Sequence, residues 1–237
     1  MAMCKKSILP VLLVLMVSLS GCTFTWPWTK STPLTRSTPD GLYQQAVEYY
    51  QDGNYKKSVE IFQRVKEEYP LSQLAILAEM GIADSYFSDE AYFEAELAYG
   101  EFINLHPTNE NLPYAMYQIG MCHFKQMDAL DRDQSETFKA LKEFERLTTR
   151  FPNSKFSFLA EKMIRECKRI LGEKEFYVGE FYFNIKQYRA ALRRFEKIAR
   201  DYANVGLDYK VSYYIIESKR RLGDVEGFTL PEKKKGQ

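Results

Sequence analysis

The stretch YFEAELAYGEFINLHP, residues 92–107, decides the fold, because its pattern of residue types recurs three more times along the chain. Tyr92 and Pro107 bound this stretch, fifteen positions apart. Three other pairs bound intervals of the same length: Tyr55 and Pro70, Thr137 and Pro152, and Tyr188 and Ala203. Each interval has a small residue three positions in and an aromatic residue seven positions in; these are Ser58, Ala95, Ala140 and Ala191, then Phe62, Tyr99, Phe144 and Phe195. Such regularity predicts a chain built from repeated structural units.

Each interval is typical of one helix in a helix pair. A small residue suits the point where the partner backbone approaches, and a large one a turn later fills the gap between helices. The partner helix is expected just before each interval, where apolar residues recur at three- and four-residue spacing. The residues in this pattern are Leu42, Ala46, Tyr49 and Tyr50; Ile82, Ala83, Tyr86 and Phe87; Ile119, Gly120 and Phe124; and Val178, Gly179, Tyr182 and Phe183.

These paired units resemble the tetratricopeptide (TPR) repeat, a helix–turn–helix module of about 34 residues. The resemblance implies an all-α fold, a TPR-type helix-turn-helix solenoid with about four full repeats plus a terminal half or fifth repeat. An unrelated helical bundle that uses the same aromatic residues in its core is the alternative. Solenoids of paired helices present extended surfaces on which other proteins bind.

The beginning of the chain resembles a bacterial lipoprotein signal. Lys5 and Lys6 precede an apolar run from Ile8 to Leu19, which is too short to span a bilayer comfortably. Leu19-Ser20-Gly21-Cys22 follows, and this box implies that residues 1–21 are removed as a signal peptide and that the thiol of Cys22 is lipidated. An ordinary secretory signal with a chance cysteine is the alternative.

Lipidation at Cys22 would anchor the protein to a membrane, since even two acyl chains give stable attachment. Thr23 follows the cysteine where an aspartate would indicate the inner membrane, so the expected location is the periplasmic face of the outer membrane. Residues 22–39 are predicted to form an extended tether. In it, Trp26 and Trp28 either rest at the lipid interface, stay unordered or pack on the first helix. We expect Thr38 to cap the first helix.

Charge and side-chain chemistry exclude several function classes. The formal net charge is +1, and loss of the leader with Lys5 and Lys6 takes it to about −1, which disfavours nucleic acid as a partner. The run 233–235 of three lysines is interpreted as part of a disordered tail, 227–237, rather than as a membrane patch. No catalytic motif, cofactor motif or metal-ligand spacing is evident, so we expect no enzymatic activity, no cofactor and no metal. Cys122 and Cys167 either form a disulfide or stay as buried thiols.

Two long segments interrupt the regular repeats. Pro107 and Pro152 are 45 residues apart, with the excess around Asp131, Arg132 and Asp133 in the segment 125–136. The segment 155–183 is also too long for one repeat helix, and it forms either one helix or two helices broken at Gly172. Residues 40–112 are therefore assigned to TPRs 1 and 2, and residues 113–226 to TPRs 3–5 with these insertions.

Five further segments bear on the family: Gln51-Asp52-Gly53-Asn54-Tyr55, Asn104-Leu105-His106-Pro107-Thr108, Asp131-Arg132-Asp133-Gln134, Phe151-Pro152-Asn153-Ser154, and Tyr177 to Tyr182 leading to Arg200-Asp201-Tyr202. With these segments, the lipoprotein box and the insertions, the chain resembles the BamD family (YfiO or ComL), TPR lipoproteins of the outer-membrane β-barrel assembly machinery. The resemblance covers nearly the whole mature chain, but Ala203 replaces an expected proline, and the chain after Gly223 is too short for a full second helix of the fifth repeat.

The resemblance implies a scaffold in the Bam complex. Its C-terminal repeats would dock the BamA-type Omp85 barrel protein, its N-terminal repeats would receive unfolded outer-membrane proteins, and accessory Bam lipoproteins would be further partners. Arg194, with Arg193 and Lys197 beside it, occupies the place of a family arginine that pairs with an acidic group on BamA. A solvated surface charge is the alternative for Arg194, and a TPR lipoprotein adaptor of periplasmic cell-wall enzymes is the alternative function.

A substrate groove is also expected from the repeat architecture alone. In a TPR array the first helix of each pair lines the concave side, and an aromatic and methionine lining suits a peptide rich in aromatic residues. Packing between adjacent repeats is the alternative for any single residue. The predicted groove residues are Tyr43, Val47, Tyr50, Met80, Asp84, Phe87, Tyr117, Met121 and Phe124.

Overall fold

A computed structural model describes residues 38–223, which form nine α-helices and no strand. The predictions for the signal peptide, for Cys22, Trp26 and Trp28, and for the tail 227–237 lie outside these residues. None of the nine helices combines the length and hydropathy needed to cross a membrane. The helices are α1 (Pro39–Gln51), α2 (Tyr55–Glu68), α3 (Gln73–Ser88), α4 (Tyr92–Leu105), α5 (Leu112–Lys125), α6 (Ser135–Arg150), α7 (Lys155–Asn184), α8 (Tyr188–Asp201) and α9 (Asp208–Leu222).

The helices stack in sequence order as pairs. Each helix packs against the next one in the chain, and the first helices of neighbouring pairs also touch, α1 against α3 and α5 against α7. The pairs are α1 with α2, α3 with α4, α5 with α6, and α7 with α8, and α9 follows as a single helix at the end of the described chain. This arrangement confirms the predicted all-α TPR solenoid.

The repeated small and aromatic residues form the core between the helices. The four small residues at the third position, Ser58, Ala95, Ala140 and Ala191, are all 0% exposed, and the four aromatic residues are at most 3% exposed. The partner helix supplies a small residue against the same ring. An added Cβ at Gly120 would lie only 2.5 Å from Phe144 Cε1, and one at Gly179 would lie 2.9 Å from Phe195 Cε1. The predicted packing between paired helices is therefore confirmed.

The turns inside three of the pairs share one conformation. Gly53, Glu90 and Lys186 follow their first helices with φ values of 74°, 60° and 65°, in the left-handed region. In each turn the next residue donates its N–H five residues back, as Asn54 does to the Tyr49 carbonyl at 2.8 Å. These bonds are those of a Schellman cap, which satisfies the last carbonyls of a helix and reverses the chain.

The helix starts follow the capping chemistry expected from the sequence. The Thr38 hydroxyl accepts a hydrogen bond from the N–H of Gly41 at 3.1 Å, which confirms its role as the cap of α1. Ser72 and Ser154 cap α3 and α7 in the same way. Side-chain oxygens at these positions satisfy backbone donors that have no partner within the helix.

The segment 155–183 forms one uninterrupted helix, so the alternative of a break at Gly172 is wrong. α7 contains 30 residues. Its first half, including Ala160 and Cys167, is buried with α5 and α6, whereas Phe176 and Phe183 in its second half pack against α8 and α9. Gly172 lies between these halves, where an added Cβ would meet Leu207 Cδ1 at 3.2 Å. The connection between α8 and α9 therefore crosses the helix at its glycine.

Candidate functional site

The predicted groove residues lie on the layer formed by α1, α3 and α5. Met80 is buried, and the other eight are half-buried. Several of their aromatic rings pack on the second helix of the same pair: Tyr43 on Phe62, Phe87 on Tyr92, and Tyr117 on Phe144, with ring centroids 5.3 to 5.6 Å apart. Core packing thus accounts for one side of these rings, and their role in binding stays a prediction.

Asp84 is the polar member of the predicted groove, and it joins three helices. Its Oδ1 accepts hydrogen bonds from the Tyr99 hydroxyl on α4 at 2.5 Å and from the Tyr114 hydroxyl on α5 at 2.7 Å. Gln118 in turn donates to the Tyr114 hydroxyl at 3.0 Å. This network fixes the carboxylate between the second and third repeats.

Burial determines the protonation of this network. It raises the pKa of Asp84 above its usual range, although the hydrogen bonds from Tyr99 and Tyr114 act in the opposite direction. Burial and the nearby Asp84 charge also raise the pKa of both tyrosines. The two phenols therefore stay protonated at neutral pH and act as donors.

Several residues around Asp84 were not predicted from the sequence. Tyr99 was recognised only as a repeat aromatic, and Tyr114 and Gln118 were not identified. Leu77 lies seven residues before Asp84 on α3, and 42% of it is exposed, so it shares the outward face of the helix. The seven-residue spacing in the sequence could have identified Leu77, because it places this residue two helical turns from Asp84 on one side of α3.

Arg194 lies in a cluster of charges between α7 and α8. Its Nη1 donates to Glu175 Oε2 at 2.8 Å, and Lys197 Nζ donates to Oε1 of the same carboxylate at 2.5 Å. The Glu175 side chain is 12% exposed, whereas the Arg194 side chain is 41% exposed. Arg193 is exposed and forms no ion pair with any described residue.

Two opposing effects set the charge of Glu175. Burial disfavours its carboxylate form, but the hydrogen bonds from Lys197 and Arg194 outweigh burial and lower the pKa of the carboxyl. Glu175 is therefore negative at neutral pH and holds both cations at the edge of α8. Arginine offers five N–H donors and Glu175 uses Nη1, so the other guanidinium nitrogen atoms remain for a second acidic group.

A family model described as YfiO, outer membrane lipoprotein, matches residues 35–229. The chain belongs to the YfiO family. Among curated relatives, this YfiO-family chain is 31% identical to the outer membrane protein assembly factor BamD of Rickettsia prowazekii over 182 residues, 77% of this chain and 72% of that protein. It is 29% identical to the BamD of Neisseria meningitidis serogroup B over 211 residues, 84% of this chain and 78% of that protein.

Among solved structures, a thermophilic TPR protein of Thermus thermophilus matches 76% of this YfiO-family chain and all of its own chain. The sequence identity is 14% and the TM-score is 0.42. At this level of similarity the fold assignment rests on the helix pairs and their packing described above.

The segment 125–136 of this YfiO-family chain, which interrupts the regular repeats, contains an exposed loop between α5 and α6. Asp131, Arg132 and Asp133 are all exposed, and Asp133 accepts the N–H of Ser135 at 3.0 Å at the start of α6. Hydrogen bonds from the Ser135 side chain and from its backbone N–H lower the pKa of Asp133. The loop places three charged side chains between the two helices of the third repeat, and its role in binding stays a prediction.

The two cysteines of the described chain are free thiols. Cys122 and Cys167 are free and buried, and burial raises the pKa of both thiols to about 12. Thiols with such values are poor nucleophiles at neutral pH. Between residues 38 and 223, no group of three or more histidine, cysteine or acidic side chains is arranged to hold a metal ion.

Proposed function

We propose that this protein is a scaffold of the outer-membrane β-barrel assembly (Bam) complex, anchored by lipid at Cys22 to the periplasmic face of the outer membrane. The family match over residues 35–229 carries this proposal. Curated relatives with substantial coverage are named outer membrane protein assembly factor BamD, and the family description is that of an outer membrane lipoprotein. The TPR architecture suits a protein that holds other polypeptides.

The C-terminal half would dock the BamA-type Omp85 barrel protein through Arg194, Arg193 and Lys197. Two features of the cluster support this assignment. Glu175 holds Arg194 in place at one nitrogen, so less side-chain freedom is lost when a partner binds. The guanidinium also stays 41% exposed, and it can form a bidentate bond with a carboxylate of the partner.

The N-terminal groove would receive unfolded outer-membrane proteins, and accessory Bam lipoproteins would complete the complex. The half-buried aromatic side chains of α1, α3 and α5 support this role, since each keeps part of its surface available beside an established packing contact. The family assignment favours this scaffold over an adaptor of cell-wall enzymes.

Gentle detergent extraction, followed by identification of the proteins that co-purify, tests the proposal. We expect the wild-type chain to recover an Omp85-type barrel protein. Arg194→Gln should reduce that recovery at least tenfold, because a charge-assisted bond at a partly buried interface is lost. Gln is preferable to Glu at this position, because Glu would also repel Glu175 inside the protein.

Arg189→Gln is the matched control, since Arg189 is an exposed arginine on the same helix without an ion pair among the described residues. Its recovery of the barrel protein should equal that of the wild type. Circular dichroism should show unchanged helicity for both variants. A wild-type chain that recovers no barrel protein would refute the scaffold, whereas normal recovery with Arg194→Gln would refute only the docking site.

A further inference from the structure

The Asp84 carboxylate has hydrogen bonds but no cation. Tyr99 and Tyr114 both donate to Oδ1, and no lysine, arginine or histidine of the described chain lies within 4.0 Å as an ion-pair partner. The second oxygen, Oδ2, accepts no hydrogen bond from the described residues and is not sealed from solvent. One oxygen therefore positions the group and the other remains available.

This arrangement is energetically unfavourable in the free protein. A partly buried carboxylate is normally compensated by a positive charge, because removing the ion from water is costly. Two neutral phenols supply hydrogen bonds but no net charge. The burial that raises the pKa of Asp84 reflects this missing compensation. A ligand with a positive charge would supply it.

Two of the three helices that form this layer carry no positive charge, whereas α5 carries His123 and Lys125 in its last turn. Helices α1 and α3 contain no lysine, arginine or histidine, but they include Asp40, Glu48, Glu79 and Asp84. Glu79 is engaged by His106 at 2.7 Å, so its charge faces a partner within the protein. Asp84 has no such partner, and it lies close enough to Tyr43 for its charge to raise the pKa of that phenol, after the effect of burial. Aromatic rings near a carboxylate favour a flat cation such as guanidinium.

We infer that Asp84 binds the cationic side chain of an arginine or lysine in an extended polypeptide held along α1, α3 and α5. The inference rests on the proposed groove and names one chemical feature of its occupant. Oδ2 of Asp84 accepts the charged donor, while Tyr99 and Tyr114 hold Oδ1 in place. A terminal carboxylate of the same polypeptide would be repelled here, so it lies away from Asp84.

Fluorescence anisotropy with the full-length lipoprotein in detergent tests this inference. The probes are two labelled dodecapeptides of alternating aromatic and polar residues, identical except for a central arginine or its neutral isostere citrulline. We expect the wild type to bind the arginine peptide about tenfold more tightly, a difference typical of one charge-assisted contact. Asp84→Asn keeps an oxygen that accepts the phenol hydrogen bonds, and it should bind both peptides with the affinity of the citrulline peptide.

Asp89→Asn is the matched control, because Asp89 is an exposed acid at the end of the same helix. It should keep the tenfold preference. If Asp84→Asn fails to fold, as judged by circular dichroism, the wild type still decides: its preference for arginine should shrink at high salt, where the ionic contact is screened.

The outcomes separate the inference from the proposed function. Equal binding of both peptides by the wild type contradicts the inference but leaves the groove intact. A preference that persists in Asp84→Asn, or that does not respond to salt, also contradicts it, because the cation would then bind elsewhere. If the wild type binds neither peptide, the groove itself is refuted, and the inference is refuted with it.

Discussion

Gly120 and Gly100 are both helical glycines, but only Gly120 faces an aromatic ring. Its missing side chain leaves space for Phe144, which is fully buried, whereas an added Cβ at Gly100 would meet nothing within 4 Å. Gly120→Ala should therefore lower the free energy of unfolding by about 1–3 kcal/mol through overpacking. Gly100→Ala should raise it by about 0.5–1 kcal/mol through helix propensity. Urea unfolding monitored by circular dichroism measures both, and a Gly120→Ala protein as stable as Gly100→Ala would contradict the packing.

At the scale of residues, the sequence predicted short-range packing better than polar networks. The pairing of small residues with Phe144 and Phe195 follows from spacing that repeats along the chain. The contact of Asp84 with Tyr99 and Tyr114 depends on the rotation of three helices, and the residues are 15 and 30 positions apart. Charge and aromatic content could place Asp84 in a groove, but could not identify the donors that hold it.

The turn between paired helices requires a residue with positive φ. Glycine adopts this conformation without a steric penalty, whereas a residue with a Cβ is strained there. Gly53 meets the requirement in the first repeat, but Lys186 occupies the equivalent place in the fourth, with φ of 65°. The bonds of the cap are present in both turns, so the structure tolerates the strain.

Lys186→Gly should therefore stabilise the fourth repeat by about 0.5–1 kcal/mol, since Lys186 is exposed and forms no ion pair with a described residue. The reverse change, Gly53→Ala, should destabilise the first repeat by about 1 kcal/mol. Thermal unfolding followed by circular dichroism gives the midpoints of both variants and the wild type. If Lys186→Gly melts below the wild type, the left-handed turn is not the source of strain.

The length of α7 could not be decided from the sequence. Glycine inside a helix costs only about 1 kcal/mol relative to alanine, so Gly172 is compatible with either a break or a continuous helix. Tertiary packing decides between them. Both halves of α7 bury aromatic and aliphatic side chains against separate neighbours, and Tyr202 contacts the clusters on both sides of Gly172.

Between residues 38 and 223, the extensive contacts of each repeat are with its neighbours, and α7 is the element that joins the third repeat to the fourth. In such arrays, stability depends on the repeats and on the interfaces between them. Unfolding of one repeat therefore extends to its neighbours only where their interface couples them. A helix of 30 residues is about 45 Å long at 1.5 Å per residue. It packs against both α6 and α8, and α8 carries Arg194 and Lys197.

Gly172→Pro should uncouple these two parts, because proline removes a helical hydrogen bond and costs about 3 kcal/mol inside a helix. Hydrogen exchange by mass spectrometry should show lost protection in α8 and α9 and nearly unchanged protection in α1 to α4. Gly172→Ala is the control: it keeps the helix, and its Cβ lies 3.2 Å from Leu207 Cδ1, a contact that a small side-chain adjustment relieves. Equal loss of protection in all nine helices of Gly172→Pro would mean that the described chain unfolds as one unit. In that case a break in α7 would not uncouple the C-terminal repeats from the N-terminal ones.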